Sequence, residues 1–430
     1  MPRPTPRAAL AALAMLPVIA LVPRWWTLLA CAIAVIALII VDGLLAAPPR
    51  SISLARDLPR QVRLPGSIEG RLLLASGRRR ARLVVRDVWN PTAGIAVPRT
   101  AVSIPRGERR AITQAFRPSR RGEHACRGVA VDSRGPLGLG LRTATLEAPG
   151  RFTALHPMRS LRHLPSRVRR LREIEGTSSL HQRGEGTEFD SLKEFVDGDD
   201  AASIDWRATA RTRSVVVRTW RPERDRRVLI IVDTSRLAAA RLGDEPRLDA
   251  ELDAAGLLTA LAAEAGDRVD IVCADARIRS EVVGVSRSTV LTELVARTAS
   301  LQPRLVETDW AALAARATAA TSRGDLVVVL TSIEPALLHA GGIAAIAQIA
   351  STHPVIVGSA EDPGLAALAS ERGTAHAVHR AASAHRLLAQ QAGLAEEIRR
   401  SGASVVAARP EELPTGVADQ YLALKAAGRL

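Results

Sequence analysis

The chain has 430 residues, a formal net charge of +15 and a hydrophobic content of 47%, with aromatics at only 3%. That length suits two domains and an anchor better than one core. Its three cysteines, Cys31, Cys126 and Cys273, are far apart and odd in number, which argues against a disulfide framework or a paired-cysteine zinc site and fits a reducing compartment.

Ala8 to Val22 is an apolar run, and Trp25 to Val41 is a second one that ends at Asp42 and Gly43. Pro23 and Arg24 make the turn between them. A signal peptide needs one such run and a cleavage site, so two in succession predict a transmembrane helical hairpin over residues 1–49. The alternative is one long span with a frayed start. Trp25 and Trp26 suit the interfacial belt. Arg3 and Arg7 precede the hairpin, Arg50, Arg56, Arg60 and Arg63 follow it, and only Arg24 lies between. The positive-inside rule then predicts a two-pass protein of the bacterial inner membrane with its soluble domains cytoplasmic.

From residue 50 to 155 the pattern has a period near two. "RLLLASG", "ARLVVRDVW", "IAVPRTAVSIP" and "ERRAITQAF" are short apolar or alternating runs separated by turn signals such as "LPGS", "NPTAG" and "SRRGE". Short strands at this spacing predict an antiparallel β-sandwich. Its arginines, including Arg78, Arg79 and Arg80, read either as a solvated face or as a grip on anionic lipid or nucleic acid. No aromatics interleave with them to stack bases, which disfavours nucleic acid.

Residues 156–226 hold a basic linker and an acidic motif. In the linker, Leu161, Leu164, Val168 and Leu171 recur at three- or four-residue steps, an amphipathic helix suited to packing between domains or to lying on a membrane surface. Next comes "GEGTEFDSLKEFVDGDDAASIDWRATAR", with eight acids against three bases. Thr187 and Asp190 read as a capping box for a short helix whose apolar face is Phe189, Leu192 and Phe195 or Val196. Ser203 reads as the cap of a second helix, "IDWRATAR". The aromatics read as core residues, and Asp205 as an ion-pair partner of Arg207 and Arg211. The turn acids do not fit an EF-hand, because Gly and Glu are missing from its sixth and twelfth positions.

Residues 227–430 change period. "RRVLIIVDTS", "DRVDIVCAD", "DLVVVLTSI", "HPVIVGSA" and "ASVVAA" are near-continuous buried strands alternating with helices. That pattern predicts an α/β doubly wound parallel sheet covered on both faces. The whole is thus α+β multidomain: helical hairpin, β-sandwich, then α/β sheet. Ligands on such sheets sit at the carboxyl ends of the strands. The first strand ends in Asp233-Thr234-Ser235, and this resembles the metal-ion-dependent adhesion site of von Willebrand factor A domains. Asp233 and Ser235 match that pattern, and Thr308 in "ETDW" supplies the loop threonine. Leu237 stands at the second serine position and Ser332 where the family has aspartate. The resemblance therefore implies an A-like domain with a degenerate metal site, at most a weak Mg²⁺ binder.

A broader resemblance follows. The acidic motif, continued by "VVVRTWRPERDRRVLIIVDTS" and preceded by "FRPSRRGEHACRGVAVDSRGPLGLGLR", resembles the bacterial domain of unknown function 58 (DUF58) family. The paired N-terminal spans fit as well, while Ala202 and Ser203 stand where that family usually has arginines. The resemblance implies a partner-binding adaptor, not an enzyme, associated with a MoxR-type AAA+ ATPase or its client. The expected contacts are the motif residues Glu188, Asp197, Asp199, Asp200, Asp205, Trp206 and Arg211, with Asp233, Ser235 and Thr308 at the strand end. An acidic turn on a basic protein is a natural docking surface, because complementary charge steers encounter. Two readings compete with this one. The first is a divalent-metal-dependent hydrolase using Asp233, Asp199, Asp200 and Asp205. The second is anionic-lipid or nucleic-acid binding through the arginines.

Overall fold

A computed structural model describes residues 3–77, 79–181, 188–196, 203–212, 214–221 and 226–430, with side chains described outside 177–181, 188–191, 212 and 218–221. Helices and mixed sheets make it an α+β protein in two compact units, Met1–Pro157 and Met158–Leu430.

The first unit opens with a two-residue strand, β1 (Arg3–Pro4), followed by helices α1 (Pro6–Leu13), α2 (Leu16–Leu21) and α3 (Trp25–Leu45). Pro17 has no N–H to continue the ladder, so the first apolar run breaks into two short helices with the proline in the first turn of α2. The second run holds together. With 21 residues, α3 is the one helix among the described residues long and apolar enough to cross a membrane.

Strands β2 (Ile52–Asp57), β3 (Gln61–Arg63), β4 (Ile68–Ser76), β5 (Ala81–Asp87), β6 (Arg99–Ile104), β7 (Arg109–Phe116), β8 (Gly122–Arg134) and β9 (Gly140–Leu155) follow. One sheet runs β1-β9-β8-β5-β6, with β3 parallel to β9, and the other runs β2-β4-β7. The period-two pattern sets their faces: Leu72 and Leu74 from one sheet meet Leu83, Val85, Val129 and Val131 from the other in a shared core. Trp89, Phe116 and Phe152 form an aromatic cluster nearby. Above it, the Arg56 guanidinium makes a buried fork to Asp87, at 2.7 and 2.9 Å.

The base of α3 is clasped to the β8–β9 turn. Asp42 is buried and accepts the backbone N–H groups of Leu137, Leu139 and Gly140 at 2.7, 2.7 and 2.8 Å. From the other side Thr5 bonds the same turn, its hydroxyl donating to the Gly138 carbonyl and its N–H to that of Leu139. Glycine is required here by close approach: a Cβ on Gly140 would lie 2.3 Å from the Ile39 carbonyl oxygen.

The second unit begins with α4 (Leu164–His181), β10 (Glu188–Glu194), α5 (Trp206–Thr212), β11 (Val216–Arg221) and β12 (Arg227–Asp233). A small hairpin, β13 (Arg241–Leu242) and β14 (Glu245–Pro246), leads into α6 (Arg247–Glu264), β15 (Arg268–Ala274) and β16 (Ile278–Val282). Then come α7 (Val290–Thr298), α8 (Trp310–Ala320), β17 (Leu326–Leu330), α9 (Pro335–His339), α10 (Gly342–Ala350) and β18 (Val355–Ala360). The chain continues through α11 (Pro363–Ala369), α12 (Ala375–Arg400), β19 (Ser404–Ala408) and α13 (Leu413–Ala426).

The main sheet of this unit has the order β16-β15-β12-β17-β18-β19 and is parallel except for β16. Strands β12, β17 and β18 are buried along nearly their whole length, as continuous Val/Ile/Leu runs require. The edge strand β16 carries Arg279 and Glu281 and buries only Val282, so no apolar run announces it. The linker helix α4 buries Leu171 and half-buries Leu164 and Val168, packing on α6 and α13. Arg167 on its other flank reaches Asp419 of α13 at 3.1 Å.

The acidic motif departs from its expected form. In place of a short helix over Phe189–Val196, β10 pairs antiparallel with β11, its register shifting between Phe189 and Ser191. Cross-strand pairing with the β-branched run at Val216 and Val217 outweighs the helical spacing, and Leu192 and Val196 are left exposed. The second helix starts at Trp206, and its cap is Asp205 instead of Ser203. Ile204 bridges to Val217 and the Asp205 N–H bonds the Val216 carbonyl, so the chain cannot turn helical earlier. The Asp205 carboxylate then accepts the N–H groups of Arg207 and Ala208, both at 3.0 Å. Trp206, expected in the core, is 70% exposed.

Candidate functional site

Strand β12 lies where the sheet order reverses: chain neighbours diverge to β15 on one side and β17 on the other. Crevices at such switch points, beyond the strands' carboxyl ends, are where open α/β sheets bind ligands. Asp233 closes β12 at that point and is fully buried.

Hydroxyls surround it. Thr308 Oγ1 donates to one carboxylate oxygen at 2.6 Å, and Thr331 Oγ1 donates to the other at 2.7 Å. The Ser235 N–H adds a third bond at 2.9 Å. Ser235 Oγ in turn accepts from the Leu237 N–H at 3.2 Å and so caps the 3₁₀ turn Arg236–Ala239. The loop over the strand end is pinned by backbone bonds from Arg236 N–H to the Val306 carbonyl and from Arg304 N–H to the Thr234 carbonyl. Between its pins, Leu305 stands 84% exposed. Arg236 and Glu307 pair across the rim at 2.9 Å.

Two further ionisable groups lie behind the strand end, both from α6. Arg247 is buried and donates to the Leu237 and Ala360 carbonyls, at 2.9 and 3.2 Å. It also pairs with Glu334 at 2.9 Å, and Glu334 accepts the Ser332 hydroxyl at 2.7 Å. One turn on, Glu251 is fully buried and neither carboxylate oxygen has a hydrogen-bond partner. Burial and the nearby Asp233 charge push its pKa well above the ordinary carboxylate range, against the lowering pull of Arg247.

The structure thus brings Asp233, Ser235 and Thr308 together, as their motif predicts. It does not bring them together as a strong metal site. Leu237 is apolar, and Ser332 turns its hydroxyl to Glu334. Both Asp233 oxygens already accept hydroxyl hydrogens. A tight divalent site wants several anionic or carbonyl oxygens converging on one point. Among the described residues no group of three or more His, Cys, Asp or Glu side chains is placed to hold a metal. The donor set therefore fits tightly bound Mg²⁺ poorly.

Of the motif residues, Asp205 caps α5, and Trp206 and Arg211 are exposed on that helix. Glu188 lies at the start of β10, its side chain outside those described; Asp197, Asp199, Asp200 and Arg78 lie outside the described residues altogether.

Three participants escaped the sequence reading. Thr331 sits one residue before the position searched for an aspartate. Arg247 and Glu251 left a readable trace, because both lie on the helical face of Leu248, Leu252 and Ala255, where a charge must be buried.

Residues 191–371 match the family described as "Protein of unknown function DUF58", so that segment carries a domain of this family. No curated protein matches the chain. Among solved structures, it is similar to the CARDB domain of the PF1109 protein from Pyrococcus furiosus, with 15% identity, a TM-score of 0.19, and coverage of 24% of this chain and 94% of that one. It is also similar to the RO (RSR) protein of Deinococcus radiodurans, with 12% identity, a TM-score of 0.24, and coverage of 48% of this chain and 35% of that one. Likenesses at these scores transfer neither a fold nor a ligand.

Proposed function

We propose that this DUF58-domain protein is a membrane-anchored cytoplasmic adaptor that binds a protein partner at the carboxyl end of its α/β sheet. The observation that carries the reading is the shape of that end. The cavity beside Asp233, lined by Ser235, Leu237, Thr308, Trp310 and their neighbours, has a volume of about 10 Å³. That is room for roughly one water and for no phosphoester or other small substrate. What the strand end offers instead is a surface: exposed Leu305 on a pinned loop, flanked by the Arg236–Glu307 pair. An apolar anchor within a charged rim is the anatomy of a protein-binding patch.

The sheet order, with its antiparallel edge strand, supports an A-like domain, and the two sheets of the first unit with their shared core support a β-sandwich. Support for the anchor comes from α3, which at 1.5 Å per residue spans ~31 Å, roughly the hydrocarbon thickness of a bilayer. Thr5 and Asp42 bond the same turn, so the chain leaves the first unit and returns to it at one place. That supports a two-pass hairpin, with α1 and α2 as its first leg. The positive-inside rule then puts the soluble units on the cytoplasmic face of a bacterial cell membrane. The partner that the family resemblance implies is a MoxR-type AAA+ ATPase.

Affinity purification of the full-length protein from gently solubilised native membranes tests this. Wild type would be run beside Leu305→Asp, Asp233→Ala and the pair Asp199→Ala/Asp200→Ala. An AAA+ ATPase held by wild type and lost from Leu305→Asp supports docking at the strand end. Its loss from the Asp199/Asp200 variant alone moves the contact to the acidic turn. Phosphoester turnover by the purified protein that disappears in Asp233→Ala would overturn the adaptor reading.

A further inference from the structure

At the foot of α3 the first unit gathers positive charge that its own residues do not neutralise. In the sheet register, Arg82 of β5 lies directly opposite Arg134 of β8, Arg134 opposite Leu141 of β9, and Leu141 opposite Arg3 of β1. Directly paired residues share a face, so the exposed Arg82, Arg134 and Arg3 form one row across four strands. At the usual strand spacing that row is roughly 14 Å long. Like charges in direct cross-strand register destabilise a sheet.

The row is fixed to the base of the apolar helix. Arg79 donates to the Leu44 carbonyl at the end of α3, at 3.3 Å, and Arg82 donates to the Pro136 carbonyl, at 2.6 Å. Arg7 lies over Gly138 in the same turn. Arg80, exposed beside them, touches Ser103.

Among the described residues of this unit, ion pairs form at Arg56–Asp87, Arg110–Glu108 and Arg151–Glu123, and none involves these six arginines. Asp42, bonded to the same turn, is enclosed by three N–H groups, and Asp132, two residues before Arg134, accepts the Thr143 hydroxyl.

We propose that this arginine collar binds the phosphate headgroups of anionic phospholipids where α3 leaves the bilayer. The apolar neighbours select a lipid over a free anion. Leu137, at the tip of the clasped turn, and Leu44 and Leu45, at the helix end, are all exposed. A headgroup on the guanidinium row puts its acyl chains against these leucines. The bound phosphate also relieves the Arg82–Arg134 repulsion, so the collar is most stable when the membrane is anionic. The clasp holds the row at a fixed depth, because Asp42 and the arginines meet on one turn.

The inference rests on α3 crossing the membrane, so that is checked first by resistance to alkaline carbonate extraction. Release by carbonate overturns the span, and the collar with it. With insertion established, fluorescent phosphatidylglycerol and phosphatidylcholine are titrated against full-length protein in detergent. The expected result is tighter binding of phosphatidylglycerol by at least tenfold, reduced by Arg82→Gln/Arg134→Gln by roughly fivefold per arginine. The pair Arg86→Gln/Arg99→Gln is also cross-strand on this sheet but lies further from the turn, and it should change binding little. Equal affinity for the two lipids in an inserted protein overturns the collar and leaves the membrane reading intact. Displacement of phosphatidylglycerol by inorganic phosphate at matched concentration overturns the lipid assignment in favour of a simple anion site. An equal loss in both arginine pairs would mean diffuse attraction by net charge, not a placed site.

Discussion

Asp42 in the first unit and Asp233 in the second are both buried and each accepts three hydrogen bonds, but from different kinds of donor. The donors to Asp42 are all backbone N–H groups of one turn, fixed by the strands on either side. Two of the donors to Asp233 are threonine hydroxyls, which rotate and can redirect their hydrogens. A carboxylate clasped by amides has nothing left to exchange, so it is a fastening. A carboxylate ringed by hydroxyls keeps an exchangeable shell. The surroundings differ in the same sense: the Asp42 turn closes tightly enough to demand glycine, whereas the Asp233 end carries a buried, unbonded Glu251 behind it.

The largest effect should come from breaking the fastening. Asp42→Ala leaves three N–H groups without their acceptor, and at about 1–3 kcal/mol for each buried donor left unpaired the turn should lose about 3 kcal/mol or more. Hydrogen exchange on the full-length protein in detergent would show it as lost protection at the ends of β8 and β9. Unchanged protection there would mean that the sheet fixes the turn and Asp42 merely follows. At Asp233 the donors can be removed singly. Thr331→Val and Thr308→Val each delete one hydroxyl while keeping the shape, and each should cost about 1–2 kcal/mol. The comparison fails if either substitution destabilises the second unit as much as Asp42→Ala destabilises the first.

Glu251 sharpens the contrast through pH. Its folded pKa is raised by burial, so the native state holds a proton that the unfolded chain gives up above its ordinary pKa. Stability therefore falls as pH rises above about 4.5, by at most about 1.4 kcal/mol per pH unit, until the folded pKa is reached. Glu251→Gln removes the ionisation and should flatten that slope, raising stability at neutral pH relative to wild type. Chemical denaturation at a series of pH values checks it. A wild-type slope that survives in Glu251→Gln would assign the pH dependence to another group.

Much of this was legible in the chain, for reasons that differ by region. The buried strands β12, β15, β17 and β18 are near-continuous apolar runs, and burial on both faces writes itself into composition. Asp233, Ser235 and Thr308 were readable only through their resemblance to the adhesion-site pattern, which joins a strand-end Asp-x-Ser to a loop threonine. Edge strand β16 was not, since only one of its five residues is buried and its pattern is charged. The acidic motif misled most. Phe189, Leu192 and Phe195 fall at helical spacing, yet pairing with β11, a partner more than twenty residues away, decides the local structure. No local pattern encodes that choice. Thr331 is not legible in the motif, whose spacing points to Ser332, while geometry places the bonding hydroxyl one residue earlier.

The smallest expected effect separates a cap from a contact inside that motif. Asp205 holds the first turn of α5 through two backbone N–H groups, and Trp206, the next residue, points outward. Asp205→Ala should cost about 1 kcal/mol, the usual loss for a carboxylate N-cap, and Asp205→Asn should keep most of it. Trp206→Ala removes an exposed ring and should change stability by less than about 0.5 kcal/mol. Its effect on partner capture is the informative one. Tryptophan is among the residues enriched at binding hot spots, which makes this exposed ring worth testing. If Trp206→Ala loses the partner while Asp205→Asn keeps it, the motif contacts the partner directly, and the Asp233 end shares its role with a second surface. If both variants keep the partner, the motif is a brace, and the docking proposed at Leu305 does not depend on it.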